Sequence, residues 1–293
     1  MLKTEIESLV SRKLNWVSSL DEANFDALDE LQKSMFMFYA NPNGYYNEIN
    51  YASDAWENKN ELAHIDIVNS LFVGKNILEI GCGSANLLKF NPLFEPYYTG
   101  LEFSDLVIEN NKKRFPKAKF VKIENPKRYD LPNDTFDVVF SRFVIEHAVY
   151  PKIFLDECIR LLRKGGTFII LCPDFLQCSR IESQRVGLTA GTGREKLKNG
   201  RVFDALLTAY DTRIKIPRAC ARIISNKVPQ FIVNLNPTCF QDRYTPDVDA
   251  VYLAYQEEIR SYLAPDVTWL PIANSIVSQC KSRRLIYLKG IKQ

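Results

Sequence analysis

Short apolar runs, each closed by a glycine, a proline or a polar turn, alternate with amphipathic stretches through the middle of the chain. NILEI (76–80) reads as a buried strand stopped by Gly81. YYTGLEF (97–103), KFVKI (119–123), FDVVFS (136–141) and TFIILC (167–172) read as four more, the last halted by Pro173. Helical spacing separates them: a helix begins near Asn86, another covers 106–115 and ends at Pro116, and a third covers 150–162 before the turn Lys164-Gly165-Gly166. Strands alternating with helices at this spacing predict βαβ units and a mostly parallel sheet. Such strands are covered on both faces, which explains their near-continuous apolar runs.

The flanks are less regular. Leu9, Trp16, Leu20, Leu28, Leu31 and Met35 recur at helical intervals, predicting helix from residue 2 to about Tyr39. NPNGYYNEINYASDAWENKN (41–60) is dense in turn residues and aromatics and reads as an irregular loop, and 61–71 reads as a further helix. Over 177–247 the periodicity lapses: AGTGREKLKNG reads as a mobile loop and IKIPRACARIISNK as a basic helix. YQEEIRSYL (255–263) then returns as a helix, with VTWLPI (267–272) and RRLIYL (283–288) as closing strands.

Composition narrows the class. With 293 residues, 46% hydrophobic and 25% charged, the chain is an ordinary globular protein of one large or two small domains. A net charge of +3 announces neither nucleic acid nor membrane. It is unevenly spread: between Arg185 and Lys227 ten Lys or Arg face three acids. That surplus marks 177–247 as chemically distinct and favours an anionic substrate or partner over a merely solvated face. The seven cysteines are odd in number and form no C-x-x-C, which argues for buried thiols in a reducing compartment and against a disulfide framework or zinc site. The acid-bearing start does not read as a signal peptide, and no run approaches the roughly 18 apolar residues of a membrane span. The expected location is the cytoplasm.

The strongest chemical signal is ILEIGCGSAN, a strand running into glycines and then a helix. Glycine is needed where backbone bends sharply and approaches a ligand, and helix-start amides favour a carboxylate or phosphate. Glu102, at the end of the second strand, can accept both hydroxyls of a ribose. Asn86 stands where a dinucleotide motif has its third glycine, and Glu79 would repel a pyrophosphate but suits a cationic amino-acid end. The reading therefore moves away from NAD. His147, one of two histidines, follows the fourth strand, where a neutral imidazole could take a proton from a hydroxyl or amine; its other role would be to fix the loop. His64, in a helical pattern, reads as structural. Tyr39, Tyr45, Tyr46, Tyr51 and Trp56 form either a lid over a site or core anchors for the N-terminal helix.

ILEIGCGSAN, GLEFSD, LPNDTFDVVFSRFVIEH and LLRKGGTFIILCPD together resemble the class I S-adenosylmethionine-dependent methyltransferases, in order and in spacing. The resemblance spans 76–174 and, more weakly, 251–288. It implies a Rossmann-like doubly wound, seven-stranded mixed sheet with RRLIYL as an antiparallel last strand. It also implies S-adenosylmethionine as cofactor and S-adenosylhomocysteine as product. By position, Glu79, Gly81, Cys82, Gly83 and Asn86 would line the methionine part, Glu102 would hold the ribose, and Phe103 would flank the adenine. Glu124 or Asn125 would approach the adenine amine, and Ser141 and Arg142 would close the pocket. Ala85 replaces a common third glycine, which widens the loop, and NPKRYDLPND departs in length from the usual pattern at the adenine contact.

The expected organisation is a helical and aromatic lid over 1–60, a cofactor-binding core over 61–176 and 248–293, and a basic, mostly helical substrate cap over 177–247. The expected activity is metal-independent, in-line methyl transfer to an oxygen or nitrogen of a small-molecule acceptor: a specialised metabolite, glycan or lipid precursor, anionic if the basic segment faces it. The expected assembly is a monomer or homodimer. Two alternatives are an RNA methyltransferase using the basic insertion, with nucleic acid disfavoured by the mild pI, and a binding protein that keeps the cofactor but has lost catalysis.

Overall fold

The computed structural model describes residues 14–40, 61–175, 191–226, 228–237 and 249–293, without the side chains of Tyr39 and Ala40. The strands in chain order are β1 (Trp16–Ser18), β2 (Ile77–Ile80), β3 (Tyr98–Glu102), β4 (Lys119–Lys122), β5 (Phe136–Arg142), β6 (Leu162–Pro173), β7 (Ile232–Asn234), β8 (Val267–Trp269) and β9 (Leu285–Lys292). The helices are α1 (Phe25–Ala40), α2 (Leu62–Ser70), α3 (Asn86–Phe90), α4 (Asp105–Arg114), α5 (Pro151–Leu161), α6 (Gly193–Lys198), α7 (Val202–Tyr210), α8 (Ile216–Ser225), α9 (Gln256–Leu263) and α10 (Asn274–Arg283).

Seven strands form one sheet in the order β4-β3-β2-β5-β6-β9-β8. β2 pairs parallel with both β3 and β5, while β9 pairs antiparallel with β6 and β8. The strand order reverses between β3 and β5, on either side of β2, so the carboxyl ends of these three strands flank the crevice where open α/β sheets bind ligands. The start of β2 is tied to β5 by Asn76 N–H, which donates to Asp137 Oδ2 at 2.7 Å.

Helices cover both faces, which is why the strands are largely apolar. On one face Phe154, Leu155, Ile259, Leu263, Ile216 and Cys220 of α5, α9 and α8 pack with Val139, Phe168 and Ile170. On the other, Ile67, Leu87, Leu88, Ile276 and Cys280 of α2, α3 and α10 pack with Ile77, Phe140 and Ile169. A third cluster joins Leu28, Leu31 and Met35 of α1 to Val149, Tyr150, Val233 and Val251. It seats α1 beside the chain that leaves β5.

Three local expectations are revised. Trp16 lies in a strand, not a helix: β1 pairs antiparallel with β7, Trp16 opposite Asn234, and helix begins only at Phe25. A tertiary partner overrides the coincidental spacing of Trp16 and Leu20. AGTGREKLKNG is not wholly a loop, because Thr192 and Glu195 close a reciprocal capping box that starts α6. β6 runs well beyond TFIILC, starting at Leu162.

Candidate functional site

The loop after β2 is built by glycine geometry. Gly81 has φ +70°, and a Cβ placed on it would lie 2.3 Å from Cγ2 of Val144, so only glycine lets the loop pass beneath the segment leaving β5. The Gly81 and Cys82 amides both donate to the Leu101 carbonyl at 2.9 Å, which locks the loop onto β3. Gly83 and Ala85 are also left-handed, at φ +49° each, and Ala85 is fully buried. Two α4 side chains hold the loop from outside: Asn111 Nδ2 donates to Gly83 O at 2.7 Å and Arg114 Nη1 to Ser84 O at 3.1 Å. Arg114 Nη2 also reaches Asn86 Oδ1 at 3.5 Å. Asn111 and Arg114 escape sequence reasoning, although their spacing puts both on one helical face.

Glu102 lies at the meeting point of loop and strand end. Its Oε2 accepts from Gly83 N at 2.9 Å, and its Oε1 from Phe103 N at 2.8 Å and Ser104 N at 3.2 Å. Burial raises its carboxyl above the ordinary value; the amides of Ser104, Phe103 and Gly83 oppose that. Glu79 is buried as well and accepts from the Tyr98 hydroxyl at 2.5 Å. Burial pushes it up to about 7, against the lowering effects of Tyr98 and Arg142. Burial lowers Arg142, while the charges of Glu79, Tyr98 and Glu146 counteract it. Ser141, opposite Ile80 across the β2–β5 pair, has a buried hydroxyl with no hydrogen-bond partner among the described residues. Two enclosed carboxylates, a guanidinium in their field and an unsatisfied hydroxyl suit a ligand carrying a cation, an anion and hydroxyl groups. That donor set fits a nucleoside amino acid.

Cys82 is small and buried, with Sγ 2.6 Å from where a Cβ on Gly100 would stand, and burial raises its thiol well above the ordinary range. It shapes the loop, and its burial disfavours the thiolate. Phe103 meets Phe36 of α1 edge to face, with centroids 5.0 Å apart. α1 is tethered nearby through Asp29, which accepts from Lys127 Nζ at 2.8 Å and from the Tyr150 hydroxyl. Glu124 is exposed beside Lys122, 3.4 Å from its Nζ, and Asn125 is exposed and accepts from Lys127 N.

His147 sits in the short helical turn Ile145–His147 after β5. Its Nδ1 lies 3.2 Å from Asp249 Oδ2, and its Nε2 lies 3.9 Å from Glu146 Oε1. Both carboxylates are buried, while His147 keeps 19% of its side chain exposed. The Glu146 carbonyl accepts from Val251 N and Tyr252 N at 2.8 and 2.9 Å, which carries Asp249 to His147 across the fold. No local pattern signals Asp249. His64 is buried and lines, with Phe143, Leu171, Cys280 and Arg283, a cavity of about 160 Å³ between α2 and α10. Tyr45, Tyr46, Tyr51 and Trp56 lie outside the described residues, as does the side chain of Tyr39.

Residues 78–170 match the family model described as a methyltransferase domain. A probable S-adenosylmethionine-dependent methyltransferase of Mycolicibacterium smegmatis is 27% identical over 119 residues, 41% of this chain and 46% of that protein. A phosphatidylethanolamine N-methyltransferase of Cereibacter sphaeroides is 27% identical over 105 residues, 33% of this chain and 50% of that protein. A phthiotriol/phenolphthiotriol dimycocerosates methyltransferase of Mycobacterium tuberculosis is 34% identical over 101 residues, 32% of this chain and 36% of that protein. The chain thus spans half or less of the length of these curated relatives. Among solved structures, an S-adenosylmethionine-dependent methyltransferase of Mesorhizobium loti aligns with a TM-score of 0.48 at 12% identity, covering 81% of this chain and all of that one.

Proposed function

We propose that this chain, whose residues 78–170 match a methyltransferase-domain model, is a class I S-adenosylmethionine-dependent methyltransferase that transfers a methyl group to an oxygen or nitrogen of a small-molecule acceptor. The observation that carries the reading is the closure of Gly83 onto Glu102 where the strand order reverses: Gly83 N–H reaches Glu102 Oε2 at 2.9 Å beside the buried Glu79. Glu102 would take the ribose hydroxyls, Glu79 the ammonium and Arg142 the carboxylate of the cofactor. Phe103 would flank the adenine, with Glu124 or Asn125 near its amine. The bound cofactor supplies an electrophilic methyl on a cationic sulfur.

The chain's own work is positioning, exclusion of water and proton removal. His147 is the candidate base. Asp249 beside Nδ1 favours the tautomer with its proton on that nitrogen, which leaves the Nε2 lone pair to accept the acceptor's proton. Phe36 and Phe103 close an apolar wall over the carboxyl end of β3. The acceptor is a specialised metabolite, glycan or lipid precursor, and the similarity to a phosphatidylethanolamine and a phthiotriol dimycocerosate methyltransferase favours the lipid class as first to be screened.

Calorimetric titration of the folded chain with S-adenosylmethionine and S-adenosylhomocysteine tests the site. Saturable binding to both is expected, weakened at least about tenfold in Glu102→Ala by loss of charge-assisted hydrogen bonds. Glu102→Gln, which keeps an acceptor for the loop amides, should fall between. Absence of heat with a wild-type chain that melts cooperatively sinks the reading.

A further inference from the structure

The segment from Val202 to Ser225 is nearly continuous helix: α7, a wide π-type turn over Asp211–Lys215, and α8. Its inner side is fixed. Ala205, Leu207 and Thr208 are buried on α7 and Ile216 and Cys220 on α8, the last two inside the main core. Lys196 of α6 is buried and donates to Thr208 Oγ1, which locks α6 onto α7. The outer side is unusual. Val202, Leu206, Tyr210, Ile214, Arg218 and Arg222 follow at intervals of four and all are exposed, Leu206 at 63% and Val202 at 54%. Phe203 and Arg213 flank the row, and Ile224 and Val228 extend the exposed apolar surface past its end.

This exposed row, which winds about the helix in steps of four, is therefore apolar along its first half and basic along its second. Scattered exposed apolar residues need no explanation, but a row at helical spacing does. A solvated face would be polar throughout, and a face that only grips polyanions would gain nothing from leucine, phenylalanine and isoleucine. The acids of this segment are spent inside it: Glu195 caps α6, Asp204 pairs with Arg201 at 2.6 Å, and Asp211 is buried. The exposed charge is thus positive. We infer that this face is an interfacial docking surface for an anionic lipid bilayer, with the apolar row entering the headgroup boundary and Arg213, Arg218 and Arg222 contacting lipid phosphates. Among the described residues no helix is long and apolar enough to cross a membrane, so the contact is peripheral.

The test is flotation of the full chain with vesicles of phosphatidylcholine alone and of phosphatidylcholine with about one third phosphatidylglycerol. It needs no cofactor, so its failure leaves the methyl-transfer reading standing, and the reverse. Expected is co-flotation with the anionic vesicles and little with the neutral ones. Arg218→Glu with Arg222→Glu should cut partitioning at least about tenfold, and Val202→Ser with Leu206→Ser should also release the chain, with melting temperature unchanged in both. No flotation with anionic vesicles overturns the inference. So does loss on charge reversal without loss on Val202→Ser with Leu206→Ser, together with equal retention on poly-U RNA, which would mark a surface for polyanions. Self-association abolished by Leu206→Glu, or a clear fall in melting temperature of the serine variant, would show the row covered by protein and overturn it as well.

Discussion

Glu79 shows how one buried side chain sets the terms of binding. A carboxyl held at about 7 is half neutral near physiological pH, since burial outweighs the Tyr98 hydroxyl and the Arg142 charge. Its ionised form, already served by the Tyr98 hydroxyl and the Arg142 charge, gains a further partner when a ligand cation arrives. Affinity for S-adenosylmethionine should therefore rise with pH through an inflection near 7 and level off above it. Glu79→Gln should bind more weakly and lose the inflection, and titrations at three pH values would show both; a parallel pH profile in the variant would assign the inflection to another group. His147 makes a separate prediction. His147→Ala should lower kcat on a cognate acceptor by about 10²–10⁴-fold with cofactor affinity intact, the range for a positioned base. Asp249→Asn should lower it less and move the pH–rate profile, because it removes the charge beside Nδ1 while His147 remains. A histidine that only braces the loop would instead cost stability and leave the profile in place.

At the level of elements, the site depends on three strand ends being held in register with one loop, and Gly81 is where the fit is tightest. In Gly81→Ala the new methyl would meet both γ-carbons of Val144, at 2.3 and 2.8 Å, in a backbone already at φ +70°. The expected result is a loss of about 2–4 kcal/mol, combining overpacking with left-handed strain, and a loss of cofactor binding. Adding Val144→Ala removes the two γ-carbons and should restore part of the stability but not the strain, leaving roughly 1–2 kcal/mol unrecovered. Chemical denaturation of the three variants measures this; a double mutant no better than Gly81→Ala would show that the loop conformation, not the contact, is decisive. The same scale explains what could be read beforehand. β2 to β6 were legible to within a residue or two at most ends because burial made them mostly apolar runs, with a glycine stop after β2 and a proline stop in β6. α10 was not, since NSIVSQCKSR carries only Ile276 and Cys280 as buried positions and reads as a polar stretch. β1 and β7 were not, because three residues have no pattern of their own and each exists only through the other.

Over the whole molecule, what the sequence hid was mostly long-range: Asp249 beside His147, Phe36 over Phe103, Asn111 and Arg114 beneath the loop. Each depends on a chain crossing that no local window contains. Glu258 is the fullest case. Its buried carboxylate accepts from Gln230 N at 2.7 Å, Phe231 N at 3.0 Å and Tyr252 OH at 2.6 Å, and so ties the return of the insertion to α9. Burial still raises its carboxyl above the ordinary value, as it does for Glu79 and Glu102. Groups raised in the folded state bind more protons there than in the unfolded chain, so the stability they confer is complete below about 4.5 and is lost as pH rises through their folded values. Glu157 acts in the opposite sense: burial pushes it up, but Arg160, the Tyr129 amide and Arg128 outweigh that and lower it, so its contribution disappears only as pH falls below the usual carboxylate range. The three raised carboxyls thus favour the folded state more on the acid side of neutrality. Melting temperature is expected to fall between about pH 5 and pH 7, the window set by Glu79. Glu258→Gln and Glu79→Gln should each flatten that slope, since an amide has no proton to lose. A wild-type melting temperature that rises across the window would mean that these three carboxyls do not govern the proton balance of folding.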